Sequence, residues 1–437
     1  MFLSCSAWLN YGKMAKRPVI RFAEVIMALN LHKLFFNQEG DPHYLGALAV
    51  EPATDAALRE ARDQIRKTLR AGLRDWSKLL RQDELFDKSI SDSAPTSLAP
   101  KFRMQGSFAY FTANEPEQQP PQEVDLDDGV FLPVSFLTLQ GGRHPSVVSQ
   151  GYFLAVERCL KDLCRRNRWS LITDKPSCVR VQITRSAHID LALYAIADEQ
   201  FRQLEEAAAK SLSAQQRQAV QDSPELSEAL YRSLSADGIM LAHRDEGWKP
   251  SDPRKLEDWV KAGVERHGPQ LRRVWRYLKG WRDFQWEESR LASVALMAAA
   301  VTIFDRNGPH LTDSRDDLAM RIVGEALPTV LAARIENPVV EGQRLDEGWG
   351  VEERSAYVQA AQRLCAEMTS AMAASDSETA IEVLQNAFGR RIPDDAGLVR
   401  DDSPIKPAIL SAGLLRASAS DPAARAAVEK RGSQRFG

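Results

Sequence analysis

The spacing of apolar residues changes along the chain, and with it the structure it predicts. In "PATDAALREARDQIRKTLRAGLRDWSKLL" (52–80), Leu58, Ile65, Leu69, Leu73 and Trp76 recur at helical spacing. Thr54 or Asp55 can cap this long helix just after Pro52. A Ser/Pro-rich stretch covers 89–100, and a Pro/Gln-rich loop, "NEPEQQPPQ", follows "KFRMQGSFAYF". "GVFLPVSF" then reads as a strand, "SVVSQGYFLAVERCLKDLCRRN" as a helix, and "WSLITDKPSCVRVQITRSAHIDLALYAI" as strands joined by two turns. From "SDPRKLEDWVKAGVERHG" to about residue 393 the period is helical throughout, opened by Ser251 or Asp252 ahead of Pro253. The pattern therefore predicts an α+β core over 31–230 and a helical lobe over 231–395. An N-terminal extension (1–30, with Met14 and Met27 as alternative starts) and a polar C-terminal tail (396–437) flank them.

One segment breaks the apolar pattern. "QEVDLDDGVFLP" (122–133) places Glu123, Asp125, Asp127 and Asp128 at the entrance to a core strand. On a strand, Asp125 and Asp127 share a face and Leu126 takes the other. Carboxylates that close repel, unless the stretch is a solvated turn or a divalent cation offsets the repulsion. A third acid, Asp190, lies on the apolar strand "AHIDLALYAI". It needs either a salt bridge, to Arg180 or Arg185, or a shared role with the first two. If the two strands are neighbours, three carboxylates converge in a layout suited to two metal ions about 4 Å apart. Ser107 of "QGS" lies 18 residues before Asp125, where a Gly-Ser turn into a helix can offer N–H groups and a hydroxyl to a phosphate.

Composition narrows the classes. The 437 residues carry a net charge of −3, which recruits neither nucleic acid nor an anionic membrane by a global field. No apolar run approaches the about 18 residues that span a bilayer. The five cysteines form no CxxC pair, which points to reduced thiols in the cytoplasm and away from a disulfide or zinc framework.

The Gly-Ser, Asp-x-Asp and later-Asp pattern is that of the polymerase-β-like nucleotidyltransferases. The agreement in "QGSFAYFTANEPEQQPPQEVDLDDGVFLPV", "HIDLALYAI", "DEGWKPSDPRKLEDW" and "LRRVWRYLKGWRDFQW" is narrower. These segments resemble the DncV-type cyclic GMP-AMP synthases, the clade A cGAS/DncV-like nucleotidyltransferases (CD-NTases) of anti-phage (CBASS) signalling. The resemblance runs from "LHKLFFN" at residue 31 to "NAFGRRI" near 392. It implies a polymerase-β-like core with a long spine helix, a helical lobe, and a cleft between them.

In that family frame Asp125, Asp127 and Asp190 would hold two Mg²⁺ ions, with Mn²⁺ as a substitute. Gly106 and Ser107 would grip the donor triphosphate. Gln105 and Tyr110 would line the nucleotide pocket, although core packing explains Tyr110 equally well. Arg180 would contact a phosphate or base. Lys279 would reach the triphosphate while Arg276 and Arg282 face solvent. Ser293 would lie near the same phosphates, or simply pack as a small helical residue. Glu341 or Asp346, in "RIENPVVEGQRLDEGW", would supply an acid for base selection.

Arg66, Arg70 and Arg74, spaced i, i+4, i+8, form either a solvated face or a regulatory anion site. The family associates that surface with a folate-like regulator. Arg103 stands where an aromatic side chain would stack on a pterin, which argues against folate control. The implied activity joins ATP and GTP, through a linear intermediate, into 3′,3′-cyclic GMP-AMP. Another cyclic di- or trinucleotide, or template-free polymerisation, are the alternatives, and the latter needs a basic nucleic-acid track. Gly437 is the expected end for conjugation by ubiquitin-like E1–E2 partners.

Overall fold

The structure, a computed structural model, describes residues 29–40, 42–75, 100–133, 145–196, 238–307 and 314–402, with Leu79 and Arg232. Trp76, the end of "GVFLPVSF", residues 1–28 and Gly437 lie outside the described residues. The strands are β1 (Leu29–Asn30), β2 (Lys101–Met104), β3 (Val124–Pro133), β4 (Ser170–Ile172), β5 (Cys178–Gln182), β6 (Ala187–Ile196), β7 (Ile239–His243), β8 (Gly247–Pro250) and β9 (Arg400–Asp401). The helices are α1 (His32–Phe35), α2 (Tyr44–Ala47), α3 (Pro52–Gly72), α4 (Gly106–Ala109) and α5 (Pro145–Asn167). They continue with α6 (Pro253–His267), α7 (Pro269–Gln285), α8 (Ser293–Asn307), α9 (Asp316–Ala332), α10 (Val351–Met372) and α11 (Ser377–Phe388).

Seven strands form one sheet in the order β2-β3-β6-β5-β4, with β7 pairing the far end of β6 and β8 pairing β7. Among the described strands of this sheet, only β3 and β6 run parallel; the other pairs are antiparallel. Strand alternation then sorts the side chains. Leu126, Val130 and Leu132 of β3 and Ile189, Leu191 and Leu193 of β6 join a core built with Leu58, Ile65 and Leu69 of α3 and Tyr152, Phe153, Val156 and Leu160 of α5. Asp125 and Asp127 are left on the opposite face. Helix α3 begins at Pro52 after Glu51, so Thr54 and Asp55 lie inside its first turn and neither caps it. Asp252 does cap α6, accepting from the backbone N–H of Arg254.

Asp128 shares the helix-facing side with Leu126 and Val130, and it is fully buried. Arg66 of α3 meets it with Nε at 2.7 Å from one oxygen and a second nitrogen at 2.5 Å from the other. Arg66 is therefore committed to Asp128 and buried at 3% exposure, rather than standing in a solvent-facing stripe with Arg70 and Arg74. Arg103, beside the same region, pairs with Glu257 of α6 at 3.2 Å.

Two boundaries differ from the sequence reading. Strands β7 and β8 extend the sheet to Pro250, so the helical part starts at Pro253 and not at 231. Residues 31–48, grouped by sequence with the core, instead pack into the helical cluster through Leu31, Leu34, Phe35, Tyr44 and Leu48, against Trp275, Tyr277 and Phe388. The backbone N–H of Leu31 donates to Asp317 (2.8 Å), and the Tyr277 hydroxyl donates to the Phe35 carbonyl (3.2 Å). β1 closes on β9, which keeps 396–401 inside the fold and out of the tail. Among the described residues no helix is long and apolar enough to cross a membrane.

Removing Arg66 takes two charge-assisted hydrogen bonds from the buried Asp128 carboxylate. Arg66→Ala is expected to destabilise the protein by about 3–5 kcal/mol in denaturant unfolding. A loss below about 1 kcal/mol would show that the other contacts of Asp128 are enough to hold its charge.

Candidate active site

The parallel register of β3 and β6 sets Asp125 opposite His188 and Asp127 opposite Asp190. The two strands thus bring the predicted acids together on the face that the helices α3 and α5 leave open. β5 adds Arg180 opposite Asp190, and the guanidinium holds both oxygens of that carboxylate at 2.7 Å. The salt bridge and the clustering expected of Asp190 thus coexist, since a carboxylate has lone pairs to spare.

Three like charges need compensation. Burial first, then Asp125 and Asp190, push the Asp127 carboxyl up to about 8. His188, absent from the sequence reading, is 4% exposed and faces this cluster. Its Nε2 lies 3.2 Å from Asp125 and 4.0 Å from Asp190, while Nδ1 faces Glu123. Burial works against its imidazolium, but Asp125 outweighs that and raises its pKa. The one sequence signal for His188 is its place two residues before Asp190, on the same strand face.

The strand β2 turns through Gln105 into α4. Gly106 takes φ +63°, and a Cβ there would lie 1.8 Å from Oδ2 of Asp127. Only glycine lets the turn approach the acids this closely. Gly106 and Ser107 both line a cleft of about 830 Å³ between sheet and helices, with Asp125, Asp127, Arg180, Lys279 and Ser293. Tyr110 lines it too, and at 9% exposure it also belongs to the helical core, so its two readings merge. Gln105 departs from expectation. It is not among the cleft residues; its Oε1 accepts from the Tyr194 hydroxyl at 3.2 Å, and its amide packs against Gly129.

The helical wall is fixed by loop 110–122. Lys279 donates to the Thr112 carbonyl at 2.7 Å, and burial, followed by Arg282, lowers its pKa to about 8. Arg276 is not solvated: its Nε donates to Asn114 at 2.9 Å. Arg282 is also engaged, by Asp283 (2.6 Å), the Leu291 carbonyl (3.1 Å) and Ser293 Oγ (3.0 Å). Ser293 opens α8 toward the cleft. Asp346 is buried and bound by Arg344, Arg354 and the Ile335 N–H, so it cannot read a base; Glu341 is exposed.

The acids fit a divalent cation. Ligand atoms of Asp125, His188 and Asp190 lie within 4.8 Å of one another. Asp125 Oδ1 and His188 Nε2 are both buried without a hydrogen-bond partner.

An acidic sheet face beside a Gly-Ser turn and a lysine-bearing helical wall defines a nucleotidyltransferase. Comparison with known proteins narrows the class. Residues 100–194 match the family "Cyclic GMP-AMP synthase DncV-like, nucleotidyltransferase domain", and 268–401 match "Cyclic GMP-AMP synthase, C-terminal domain". The chain is 33% identical over 325 residues to a cyclic GMP-AMP synthase of Escherichia coli, covering 72% of each. It is 31% identical over 312 residues to that of Vibrio cholerae serotype O1, covering 69% of this chain and 70% of the relative. The Vibrio cholerae DncV structure in complex with the linear intermediate 5′ pppA(3′,5′)pG superposes with a TM-score of 0.69 at 26% identity, over 86% of this chain and 100% of that one. The structure of the same cyclase with GTP and 5MTHFGLU2 gives 0.71 at 26% identity, over 85% and 99%. The chain belongs to the DncV-like cyclic GMP-AMP synthase family, and it is a nucleotidyltransferase of the cyclic dinucleotide synthase type.

Two outcomes follow. Gly106→Ala drives a methyl group into Asp127 and is expected to lower turnover at least about 100-fold; near-normal rates would show that the turn can relax. For Asp127 the folded pKa lies above its ordinary 3.8. The stability from its protonated form is complete below about pH 4 and is lost as pH rises through the folded value. The unfolding midpoint of the metal-free protein, relative to Asp127→Asn, should therefore fall as pH rises from about 4 to about 8, and Mg²⁺ should reverse the loss. A pH-independent difference would contradict the repulsion.

Proposed function

We propose that this enzyme joins ATP and GTP, through a linear intermediate, into 3′,3′-cyclic GMP-AMP as the signal of an anti-phage (CBASS) system. The observation that carries the reading is the register that gathers Asp125, Asp127 and Asp190 beside the Gly106–Ser107 turn. Its family membership supports the choice of nucleotides.

Asp125, Asp127 and Asp190 would hold two Mg²⁺ ions. When bound, these ions supply charge to offset the triphosphate and to acidify the acceptor 3′-hydroxyl. The chain's own groups do the rest. The Gly106 turn and the Ser107 hydroxyl bind the donor phosphates from the sheet side. Lys279 binds them from the helical side; one of its three N–H donors already anchors it to Thr112. Arg282 holds Ser293 Oγ toward the same phosphates. Asp190, oriented by Arg180, accepts the proton of the attacking 3′-hydroxyl as that oxygen bonds the donor α-phosphorus and pyrophosphate leaves. Tyr110 stacks near a base. One cleft serves both bond-forming steps if the linear intermediate turns over and re-enters.

The test is mass spectrometry of the product made from all four NTPs. The expected main species is cyclic GMP-AMP, with none made by Asp125→Asn. A pyrimidine-containing, homodimeric or linear polymeric main product would overturn the assignment. Lys279→Ala is expected to raise KM for NTP roughly 10- to 100-fold, the worth of one charge-assisted contact. Because its pKa is lowered to about 8, kcat/KM should fall above that pH, and Lys279→Arg should move the fall upward. An unchanged alkaline limb in Lys279→Arg would remove Lys279 from the phosphate site.

A further inference from the structure

His188 occupies an arrangement that packing alone does not explain. The residue is 4% exposed. Nδ1 faces the Glu123 carboxylate, which is itself fixed by the Gln182 side-chain amide at 2.9 Å. With Nδ1–H donated to Glu123, Nε2 is the ring atom that faces Asp125, 3.2 Å from its Oδ1. Without a metal, a proton on Nε2 offsets the Asp125 charge. A cation that takes the place of that proton finds a nitrogen and an oxygen already aimed at one space. Nε2 lies 3.2 Å from Asp125 and 4.0 Å from Asp190, and the three ligand atoms lie within 4.8 Å of one another, a span that one divalent ion would bridge. The carboxylate behind the histidine completes the usual carboxylate–histidine–metal series, in which the outer carboxylate sets the tautomer and aims the ring.

We propose that His188, aimed by Glu123, supplies a nitrogen ligand to the metal centre formed with Asp125 and Asp190, and that the centre therefore favours Mn²⁺ over Mg²⁺ more than a carboxylate-only site does. The proposal rests on the metal-dependent reading above and adds a ligand to it. Imidazole nitrogen binds Mn²⁺ in preference to Mg²⁺, which keeps oxygen ligands and water. Glu123 acts as a positioning residue, since it reaches the ion only through the ring.

The experiment is electron spin-echo envelope modulation on the full chain loaded with one equivalent of Mn²⁺, at natural abundance and with ¹⁵N-histidine. The expected wild-type spectrum carries ¹⁴N modulation from a directly bound imidazole. The ¹⁵N pattern replaces it on labelling, and His188→Gln abolishes it. Bound Mn²⁺ without histidine nitrogen would overturn the ligand assignment and leave the carboxylate site standing. Failure of wild type to bind Mn²⁺ at all would overturn both readings. The wild-type spectrum decides the matter even if the variant folds poorly. In parallel, His188→Gln and Glu123→Gln should each weaken Mn²⁺ binding by about 10-fold or more, and Mg²⁺ binding less. Equal losses for the two ions would overturn the selectivity.

Discussion

The site depends on the parallel pairing of β3 with β6. A shift of that register by one residue would turn Asp125 and Asp127 toward α3 and α5, and Leu126 toward the cleft. The apolar ladder Leu126, Val130 and Leu132 against Ile189, Leu191 and Leu193 forbids the shift, because each of these side chains is fully buried on the helix side. The same burial that stabilises the sheet therefore forces the carboxylates onto one open face. Asp128 is the exception that the pattern must absorb. Its position on the helix side is made tolerable by Arg66, which reaches it with two short hydrogen bonds.

The opposite face holds its charges by a different means. Asp190 is paired with Arg180, and Asp125 and Asp127 are left to each other and to His188. Proximity of Gly106 seals the arrangement, since the turn that would grip a phosphate is in contact with Asp127 itself. The helical wall contributes the cations. Gln122 binds the Asp283 and Trp286 carbonyls at 2.8 and 2.7 Å, which ties the loop before β3 to the end of α7. The distance between acids and lysine is thus set by backbone contacts and not by the charges themselves.

Much of this was legible in the residues. The i, i+2 spacing of Asp125 and Asp127, the Gly-Ser turn and the apolar strand around Asp190 each have one dominant physical reading once the strands are neighbours. The helical periods over 52–73 and 253–388 were legible for the same reason: amphipathic spacing is local. What was hidden depends on contacts far apart in sequence. Arg66 looked like part of a charged stripe, but it flanks the buried arc of Ile65 and Leu69 and meets a partner 62 residues away. His188 gave only a weak signal, because a lone histidine on an apolar strand is ordinary until Glu123 and Asp125 are placed beside it. Residues 29–48 precede the core helix in sequence, yet their apolar side chains complete a helical cluster that forms more than 200 residues later. Short strands such as β7 and β8 offer too few residues for alternation to be read.

The central claim is that the acidic face of β3 and β6 is a metal centre and not a set of ordinary salt bridges. The most direct measurement is anomalous diffraction from crystals soaked in Mn²⁺ with a non-reactive ATP analogue. Anomalous peaks are expected within bonding distance of Asp125, Asp127 and Asp190, with the analogue's phosphates beside Ser107. Peaks located elsewhere, or an acidic face that keeps its Arg180–Asp190 pair and gains no ion, would contradict the claim.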